Sequence, residues 1–488
     1  MARCGELVEE DDEYAKLVRR MNPPSVVIDN DSCDSATVIR VDRVKKHGIL
    51  LEAVQVLVDL NLIITKAYIS SDGNWFMDVF NVTDQDGNKV QSKEVTDCIK
   101  KCFESEDYLV PPASGLDGGG EPSEETTCIE LTGTDRPGLL SEVCAVLASL
   151  SCNIVNAEVW THDKRAAAVI KITDEATGLP VRDGGRLSQL QELLCNVMQG
   201  DSDGEGDRKG STAVSLGAAH AERRLHRLML DDGDGDAGGR GEELGGVVPA
   251  KAKAKVVVMD CTERRYTVVI LRCRDRPRLL FDTLCALTDL HYVVFHGTVD
   301  AEGGSTKEAY QVRHYKALPT SLTSLRRSPP HGQRLWLQEY YVRHVDGHPV
   351  RCDAERLRLV RCLEAAVERR ASDGLELEVK TEDRAGLLSE ITRVFRENSL
   401  SIIRAVITTK DGEADDTFYV TDAYGNPVDG KAMETLGEQL GHAVLRVKSN
   451  SRAAIKRAED GGGGGAASII GNLLKGSFQG FRLIRSYS

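Results

Sequence analysis

One pattern of hydrophobic and polar positions occurs four times along the chain. Each copy begins with a short alternating run rich in β-branched residues, at residues 37–41, 128–131, 266–271 and 375–379. Such alternation predicts a strand with one buried face. A turn and a stretch with helical periodicity follow each run. In the second copy the apolar positions have the spacing of one helix face: they are Leu139, Leu140, Val143, Val146, Leu147 and Leu150.

The second half of each copy also keeps one order. A second strand, such as residues 63–69 or 402–407, leads through a polar turn to a third strand and a glycine-bearing turn. A second helix is predicted at 186–198 and 354–369, and a last strand at "TAVSL" (212–216) and "AVLRVK" (443–448). The order βαββαβ is the ferredoxin-like split βαβ unit. The predicted fold class is therefore α+β, with four βαββαβ repeats joined by flexible linkers.

The turn after the first strand carries the most distinctive motif. It reads "TDRPGLL" at 134–140, "RDRPRLL" at 274–280 and "TEDRAGLL" at 381–388. One alignment column holds Gly48, Gly138, Arg278 and Gly386. A second column, nineteen residues later, holds only small residues and therefore predicts close packing: Ala67, Ala157, Gly297 and Ala405.

These alignments define the predicted domains. Repeats 1 to 4 span residues 35–110, 126–216, 265–370 and 374–449, and a linker with a C-terminal tail spans 450–488. Residues 201–250 are rich in Gly and Asp but contain "AHAERRLHRLML", which predicts a short helix. The tail mixes apolar and basic residues. It is interpreted as a segment that docks on a partner or a membrane surface, or as a capping or disordered segment.

Repeat 3 contains about 27 extra residues. The distance from Arg278 to Gly347 is 69 residues, whereas Gly48 to Gly87 and Gly386 to Gly425 are each 39. The excess is assigned to 312–338, inside the third strand. This segment begins with Val, whose codons begin GT, and ends with Gln, which can be encoded CAG. We therefore expect a retained intron in the coding sequence, with a genuine surface loop as the alternative.

Composition narrows the functional classes. The chain of 488 residues has a formal net charge of −14, so nucleic-acid binding is not expected. No apolar run approaches ~18 residues, and no transmembrane segment is expected. The N-terminus lacks the apolar core of a secretory signal. The 13 scattered cysteines indicate free thiols in a reducing compartment, so the cytoplasm or the nucleus is predicted.

The four motifs in register resemble ACT domains, and the full arrangement resembles the plant ACT-domain-repeat (ACR) family. The second and fourth copies are also similar to the ACT pair of bacterial uridylyltransferase/uridylyl-removing enzymes. The resemblance implies an amino acid ligand bound where the first turn of one unit faces the second strand of a partner. The ligand-binding positions it implies are Asp135, Gly138 and Asn153 in repeat 2, and Asp383, Gly386 and Ser401 in repeat 4. Arg278 in repeat 3 and Lys45 in repeat 1 depart from the motif.

The turn residues themselves allow two interpretations. In one, backbone N–H groups at the helix N-terminus bind a carboxylate, the glycine lets the ligand approach, and Asp135 or Asp383 accepts the α-ammonium group. In the other, the Asp is an N-cap, Pro137 is a first-turn residue and the Gly forms a tight turn. The leucines are core residues in both.

Enzyme motifs are not found: the chain has no GxxxxGK(S/T) phosphate loop, HExxH or GxSxG, and neither a cofactor nor a metal is expected. Together with the resemblance to ACT domains, which implies an amino acid ligand, this predicts a non-enzymatic metabolite sensor. Glutamine is suggested only by the bacterial resemblance. The alternative is a scaffold whose ACT domains pair without a ligand. Pairing of repeats within the chain, and homodimers, are expected because pairing hides strand edges.

Overall fold

The computed structural model describes eleven stretches of the chain. They are residues 25–44, 48–72, 75–104, 126–199, 210–216, 220–231, 254–261, 264–302, 335–370, 374–440 and 445–447. The predicted C-terminal tail, 450–488, lies outside the described residues.

The first two repeats each contain four strands and two helices. Repeat 1 comprises β1 (Ser25–Asp29), β2 (Thr37–Val44), α1 (Ile49–Asp59), β3 (Ile63–Asp72), β4 (Trp75–Thr83) and α2 (Lys93–Glu104). Repeat 2 comprises β5 (Thr127–Thr134), α3 (Leu139–Ser149), β6 (Cys152–His162), β7 (Arg165–Asp174), α4 (Gly184–Gln199) and β8 (Ser211–Leu216). The short helix predicted after repeat 2 is confirmed as α5 (Ala221–Asp231).

The last two repeats have the same number of elements. Repeat 3 comprises β9 (Lys255–Cys261), β10 (Tyr266–Arg274), α6 (Leu279–Asp289), β11 (Tyr292–Glu302), β12 (Leu335–His344) and α7 (Asp353–Glu368). Repeat 4 comprises β13 (Leu375–Glu382), α8 (Leu387–Glu397), β14 (Leu400–Lys410), β15 (Glu413–Asp422), α9 (Gly430–Leu440) and β16 (Leu445–Val447). The predicted α+β class is confirmed.

The chain forms two compact units, and each unit combines two alternate repeats. Unit 1 contains repeats 1 and 3, and unit 2 contains repeats 2 and 4. The sheet of unit 1 has the strand order β1-β2-β4-β3-β11-β12-β10-β9, and that of unit 2 has β16-β13-β15-β14-β6-β7-β5-β8. The second strands of the paired repeats meet at the centre of each sheet, so the predicted pairing of repeats within the chain is confirmed.

The outer edge strand has a different origin in the two units. In unit 2 it follows the second helix, where β8 pairs with β5 and β16 pairs with β13. In unit 1 it precedes the first strand, where β1 pairs with β2 and β9 pairs with β10. The predicted order βαββαβ is therefore wrong for repeats 1 and 3, which are ββαββα. Either chain neighbour can supply this strand because the pairing is antiparallel.

The two central strands of each sheet, β3 and β11 in unit 1 and β6 and β14 in unit 2, form the seam between the paired repeats. Small residues lie at this seam and pack closely, as the alignment predicted. Across β6 and β14, Ala405 lies opposite Val159 and Ile407 opposite Ala157, and both alanines are buried. Across β3 and β11, a Cβ on Gly297 would lie 3.0 Å from the Tyr340 ring and 3.3 Å from Ile69. Larger side chains would therefore force the central strands apart.

One apolar core lies between the sheet and the helices of unit 2 and is shared by both repeats. It includes Leu147 and Ile170 from repeat 2, and Ile391, Phe395 and Phe418 from repeat 4. The two phenylalanine rings meet edge to face with centroids 5.1 Å apart, a favourable aromatic geometry. A shared core of this kind makes the two repeats one cooperative structure.

Helix α5 covers the other face of the sheet in unit 2. Leu225 and Met229 pack with the fully buried Trp160. Arg224 holds Glu130 with two hydrogen bonds of 2.5 and 2.8 Å, and Arg370 pairs with Glu222 at 3.0 Å. Both carboxylates are buried, so these arginines compensate their desolvation.

The predicted insert of repeat 3 does not interrupt a strand in the described residues. Residues 335–338, the last four of the predicted insert, lie in β12 and pair with both β10 and β11. Residues 303–334 lie outside the described part of the chain. The remainder of the predicted insert therefore precedes β12, and its origin as an intron stays a prediction.

Candidate functional site

The turn between the first strand and the first helix is built identically in repeats 2 and 4. The Asp135 N–H donates to the Lys164 carbonyl and the Asp383 N–H donates to the Gly412 carbonyl, both at 2.8 Å. These bonds tie each turn to the hairpin between the second and third strands. Gly138 and Gly386 have φ values of 86° and 77° with ψ near zero, the geometry of the third residue in a type II turn.

The two glycines, and not the aspartates, occupy the N-cap positions of α3 and α8, and neither helix has a side-chain cap. The interpretation of the Asp as an N-cap is therefore wrong, while the tight turn at the glycine is confirmed. The arginine after each Asp makes an ion pair within its own turn. Arg136 pairs with Glu142, and Arg384 pairs with Glu390.

Each turn lies in a cavity that crosses the seam of unit 2. The first cavity brings Asp135 and Gly138 together with Leu400 and Ile402, the neighbours of Ser401 in β14. The second brings Asp383 and Gly386 together with Asn153 in β6. Each turn thus faces the second strand of the opposite repeat. Asn153 belongs with the repeat 4 turn, and the Ser401 segment with the repeat 2 turn.

The cavity at the repeat 2 turn is mostly apolar. Its apolar wall is formed by both repeats and includes Leu131, Val143, Met198, Phe395 and Ile402. The stem of Arg396, from α8, lies on Gly138 so closely that a Cβ there would be 2.6 Å from its Cδ. The cavity encloses about 40 Å³, space for about three water molecules. The Arg396 side chain covers the backbone at Gly138.

The cavity at the repeat 4 turn is more polar and encloses about 30 Å³. Its polar lining includes Asn153, Thr409 and the buried Asp416. Asp416 accepts a hydrogen bond from the Thr408 N–H at 3.2 Å. Two carboxyl groups, those of Asp383 and Asp416, therefore line one small cavity.

Burial shifts the titration of all three carboxyl groups. It raises the pKa of Asp135 to about 6, although hydrogen bonds from the Arg136 N–H and the Thr161 side chain oppose the change. The pKa of Asp383 is also raised by burial, against hydrogen bonds from Arg384 and Thr409. Burial, with a smaller contribution from Asp383, raises the pKa of Asp416 to about 7. A cationic ligand group would favour the ionised form of each carboxyl.

Sequence reasoning missed Arg396 and Asp416. Asp416 belongs to an alignment column in the third strand, nine or ten residues before the turn glycine of each repeat. The column holds Asp78, Ala168, Gln338 and Asp416. Three of these four residues are polar and buried. A polar residue at one strand position in three repeats is the sequence pattern that could have indicated Asp416. Arg396 has no such signal, because its role depends on contact with the turn of another repeat.

Unit 1 has different residues at the same turns. Arg278 takes the left-handed conformation with φ 64°, and Arg276 pairs with the fully buried Asp282 at 2.5 Å. Lys45 of repeat 1 lies outside the described residues. Arg278 therefore gives the repeat 3 turn a side chain at the position where repeats 2 and 4 have glycine.

Comparison with known proteins agrees with this architecture. Residues 32–110 match the ACR family N-terminal ACT domain, and residues 129–194 and 376–441 match the ACT domain. The chain is 52% identical to the ACT domain-containing protein ACR6 of Arabidopsis thaliana over 474 residues, 96% of this chain and 99% of that protein. It is 48% identical to ACR4 of the same organism over 480 residues, 98% of each.

A shorter match reaches a bacterial enzyme. The chain is 39% identical over 79 residues to a bifunctional uridylyltransferase/uridylyl-removing enzyme of Bradyrhizobium diazoefficiens, 16% of this chain and 8% of that enzyme.

Sheet pairing and the repeated turn define an ACT-domain protein. The chain belongs to the ACR family of ACT domain-containing proteins, as the sequence predicted. Of the helices in the described residues, none is both long and apolar enough to cross a membrane.

Proposed function

We propose that this chain is a non-enzymatic regulatory protein that binds amino acids at the two seam sites of unit 2 and so senses a metabolite. The observation that carries the proposal is the construction of both turns. Each places a partly buried carboxyl, a left-handed glycine and a helix N-terminus in one cavity closed by the opposite repeat. This arrangement offers a partner for each charge of an amino acid.

The chemistry of the turn supports recognition of both charged groups. Asp135 or Asp383 accepts hydrogen bonds from the α-ammonium group. Leu140 and Ser141, at the N-terminus of α3, line the first cavity, ahead of the first helical bond from the Glu142 N–H to the Gly138 carbonyl. Backbone N–H groups at this end of a helix favour a carboxylate. Glutamine remains the candidate suggested by the bacterial relative.

A thermal-shift screen of the full chain against the twenty amino acids tests the proposal. We expect a concentration-dependent rise in apparent melting temperature with at least one of them, since a ligand that binds only the folded state stabilises it. The shift should decrease in Asp135→Asn and Asp383→Asn. Asp411→Asn, an exposed change in the β14–β15 hairpin, is the matched control.

One observation favours a second candidate, the ligand-free scaffold. Both cavities are narrow, at about 40 and 30 Å³, and the paired repeats already share a closed core. Folded protein that responds to none of the twenty amino acids would support the scaffold and contradict the sensor.

A further inference from the structure

The two seam sites of unit 2 differ in charge at matched positions. The tenth residue of α8 is Arg396, which lies over the repeat 2 turn; the tenth residue of α3 is Ala148, which lines the repeat 4 site. In the third strands, Ala168 lines the repeat 2 site where Asp416 lines the repeat 4 site. The repeat 2 site therefore has an arginine that the repeat 4 site lacks, and the repeat 4 site has a second carboxyl group that the repeat 2 site lacks.

Arg396 is placed to meet a ligand. Its stem lies against Gly138, and its side chain is exposed at the cavity mouth. Within the described residues, its guanidinium has no ion-pair or hydrogen-bond partner. The other arginine of this lining, Arg136, is paired with Glu142. Arg396 is thus the cation of this site that is available to an incoming anion.

We propose that Arg396 makes the repeat 2 site selective for a free carboxylate, so that the two sites of unit 2 bind different ligands. The inference rests on the proposed function and specifies it further. Arg396 pairs with the α-carboxylate, Asp135 accepts the α-ammonium group, and the apolar wall receives the side chain. The ligand class is therefore a zwitterionic amino acid with an uncharged side chain.

The chemistry of the guanidinium favours this assignment. Its planar donors match the two oxygens of a carboxylate, and such charge-assisted pairs are stronger than neutral hydrogen bonds. The repeat 4 site has no equivalent in its described lining, because Ala148 carries no charge and Arg384 is paired with Glu390. A ligand carboxylate there has only the backbone N–H groups at the N-terminus of α8 as donors, beside the carboxyl groups of Asp383 and Asp416.

Isothermal calorimetry on full-length Asp383→Asn protein, in which the repeat 4 site is weakened, tests the inference. The probes are the amino acid found by the screen and its α-carboxamide. We expect the acid to bind about tenfold or more tightly than the amide, the difference between a charged and a neutral hydrogen-bond partner. Arg396→Ala should remove this preference by weakening binding of the acid alone.

Two further variants control the experiment. Arg393→Ala removes the same charge from an exposed position of α8 and should change nothing. Ala148→Arg, in the Asp135→Asn background, should create a preference for the acid at the repeat 4 site. Equal binding of acid and amide, or no effect of Arg396→Ala, would overturn the inference and leave the proposed function intact. Absence of binding by any amino acid to the unmodified chain would overturn both.

Discussion

Arg278 occupies a backbone conformation that the other three repeats give to glycine. Its φ is 64°, compared with 83° at Gly48, 86° at Gly138 and 77° at Gly386. A residue with a Cβ is destabilised by roughly 1–2 kcal/mol in the left-handed region. Repeat 3 therefore has the same left-handed turn as the other repeats, although Arg278 adopts this conformation less easily than glycine does.

We expect Arg278→Gly to stabilise unit 1. The gain should be roughly 1 kcal/mol, since the left-handed penalty is partly offset by the greater freedom of glycine in the unfolded chain. Hydrogen exchange in β10 and α6 at increasing urea measures the change. Arg278→Ala is the control, because it removes the guanidinium contacts but keeps the penalty. Equal stability of the two variants would contradict the prediction.

Asp416 should make the stability of unit 2 depend on pH. Its pKa rises from 3.8 to about 7 in the folded protein, so the folded state binds the proton more tightly than the unfolded state. The contribution of Asp416 to stability is therefore fully present below about pH 4 and is lost as the pH rises to about 7. Asp416→Asn removes the buried charge and retains an acceptor for the Thr408 N–H.

Apparent melting temperatures at pH 4 and pH 8 measure this effect. Asp416→Asn should melt higher than the unmodified chain at pH 8, and the difference should disappear toward pH 4. Asp411→Asn, on the exposed hairpin turn, should leave the pH dependence unchanged. A constant difference between Asp416→Asn and the unmodified chain at both pH values would be the contrary result.

The sequence identified part of the candidate site at this scale. The motif predicted the turn and placed Asp135 and Asp383 in it, because proline and glycine favour particular turn positions and the paired leucines mark the start of the apolar helix face. Arg396 was not predictable in this way. Its contact with Gly138 depends on the register of β6 against β14, and the two residues are far apart in sequence.

Elements inside each repeat were predicted well because their signals are local. Alternation identified the first strands, and helical spacing identified α3. The outer edge strands of repeats 1 and 3 were not predicted, because an antiparallel strand from either end of the repeat can pair with the edge of the sheet. β1 and β9 occupy the edge position that β8 and β16 occupy in the other two repeats.

The seam between β6 and β14 should not tolerate a larger side chain. Ala405 is completely buried there, opposite Val159, and Ala405→Leu would overpack this contact. We expect a loss of roughly 1–3 kcal/mol in unfolding free energy, together with weaker protection of both strands in hydrogen exchange. Ala423→Leu makes the same enlargement at an exposed turn and should have little effect. Equal effects of the two changes would show that the seam is not closely packed.

At the scale of the whole molecule, the pairing of alternate repeats is the feature that sequence order did not predict. Consecutive elements usually lie side by side, yet repeat 1 pairs with repeat 3 and repeat 2 with repeat 4. In both repeats of unit 1 the edge strand precedes the first strand, and in both repeats of unit 2 it follows the second helix. The motifs of repeats 2 and 4 are also closely similar, and this similarity was the available signal.

The predicted intron in repeat 3 is testable on the message. Without residues 312–338, Gln311 would take the place of Gln338 in β12, where the glutamine accepts a hydrogen bond from Tyr340 at 2.6 Å. Sequencing of transcripts across residues 311–339 should therefore give mainly the shorter form. Abundant message that retains the segment would support a genuine surface loop.

The central claim is that unit 2 holds two amino acid sites built from the repeat 2 and repeat 4 turns. The most direct measurement is calorimetric stoichiometry on the full chain, titrated with the amino acids that raise its melting temperature. We predict two sites per chain in total, summed over the amino acids that bind; Asp135→Asn and Asp383→Asn should each remove one of these sites, and the double variant should have none. Unchanged stoichiometry in the double variant, or folded protein that binds no amino acid, would contradict the account.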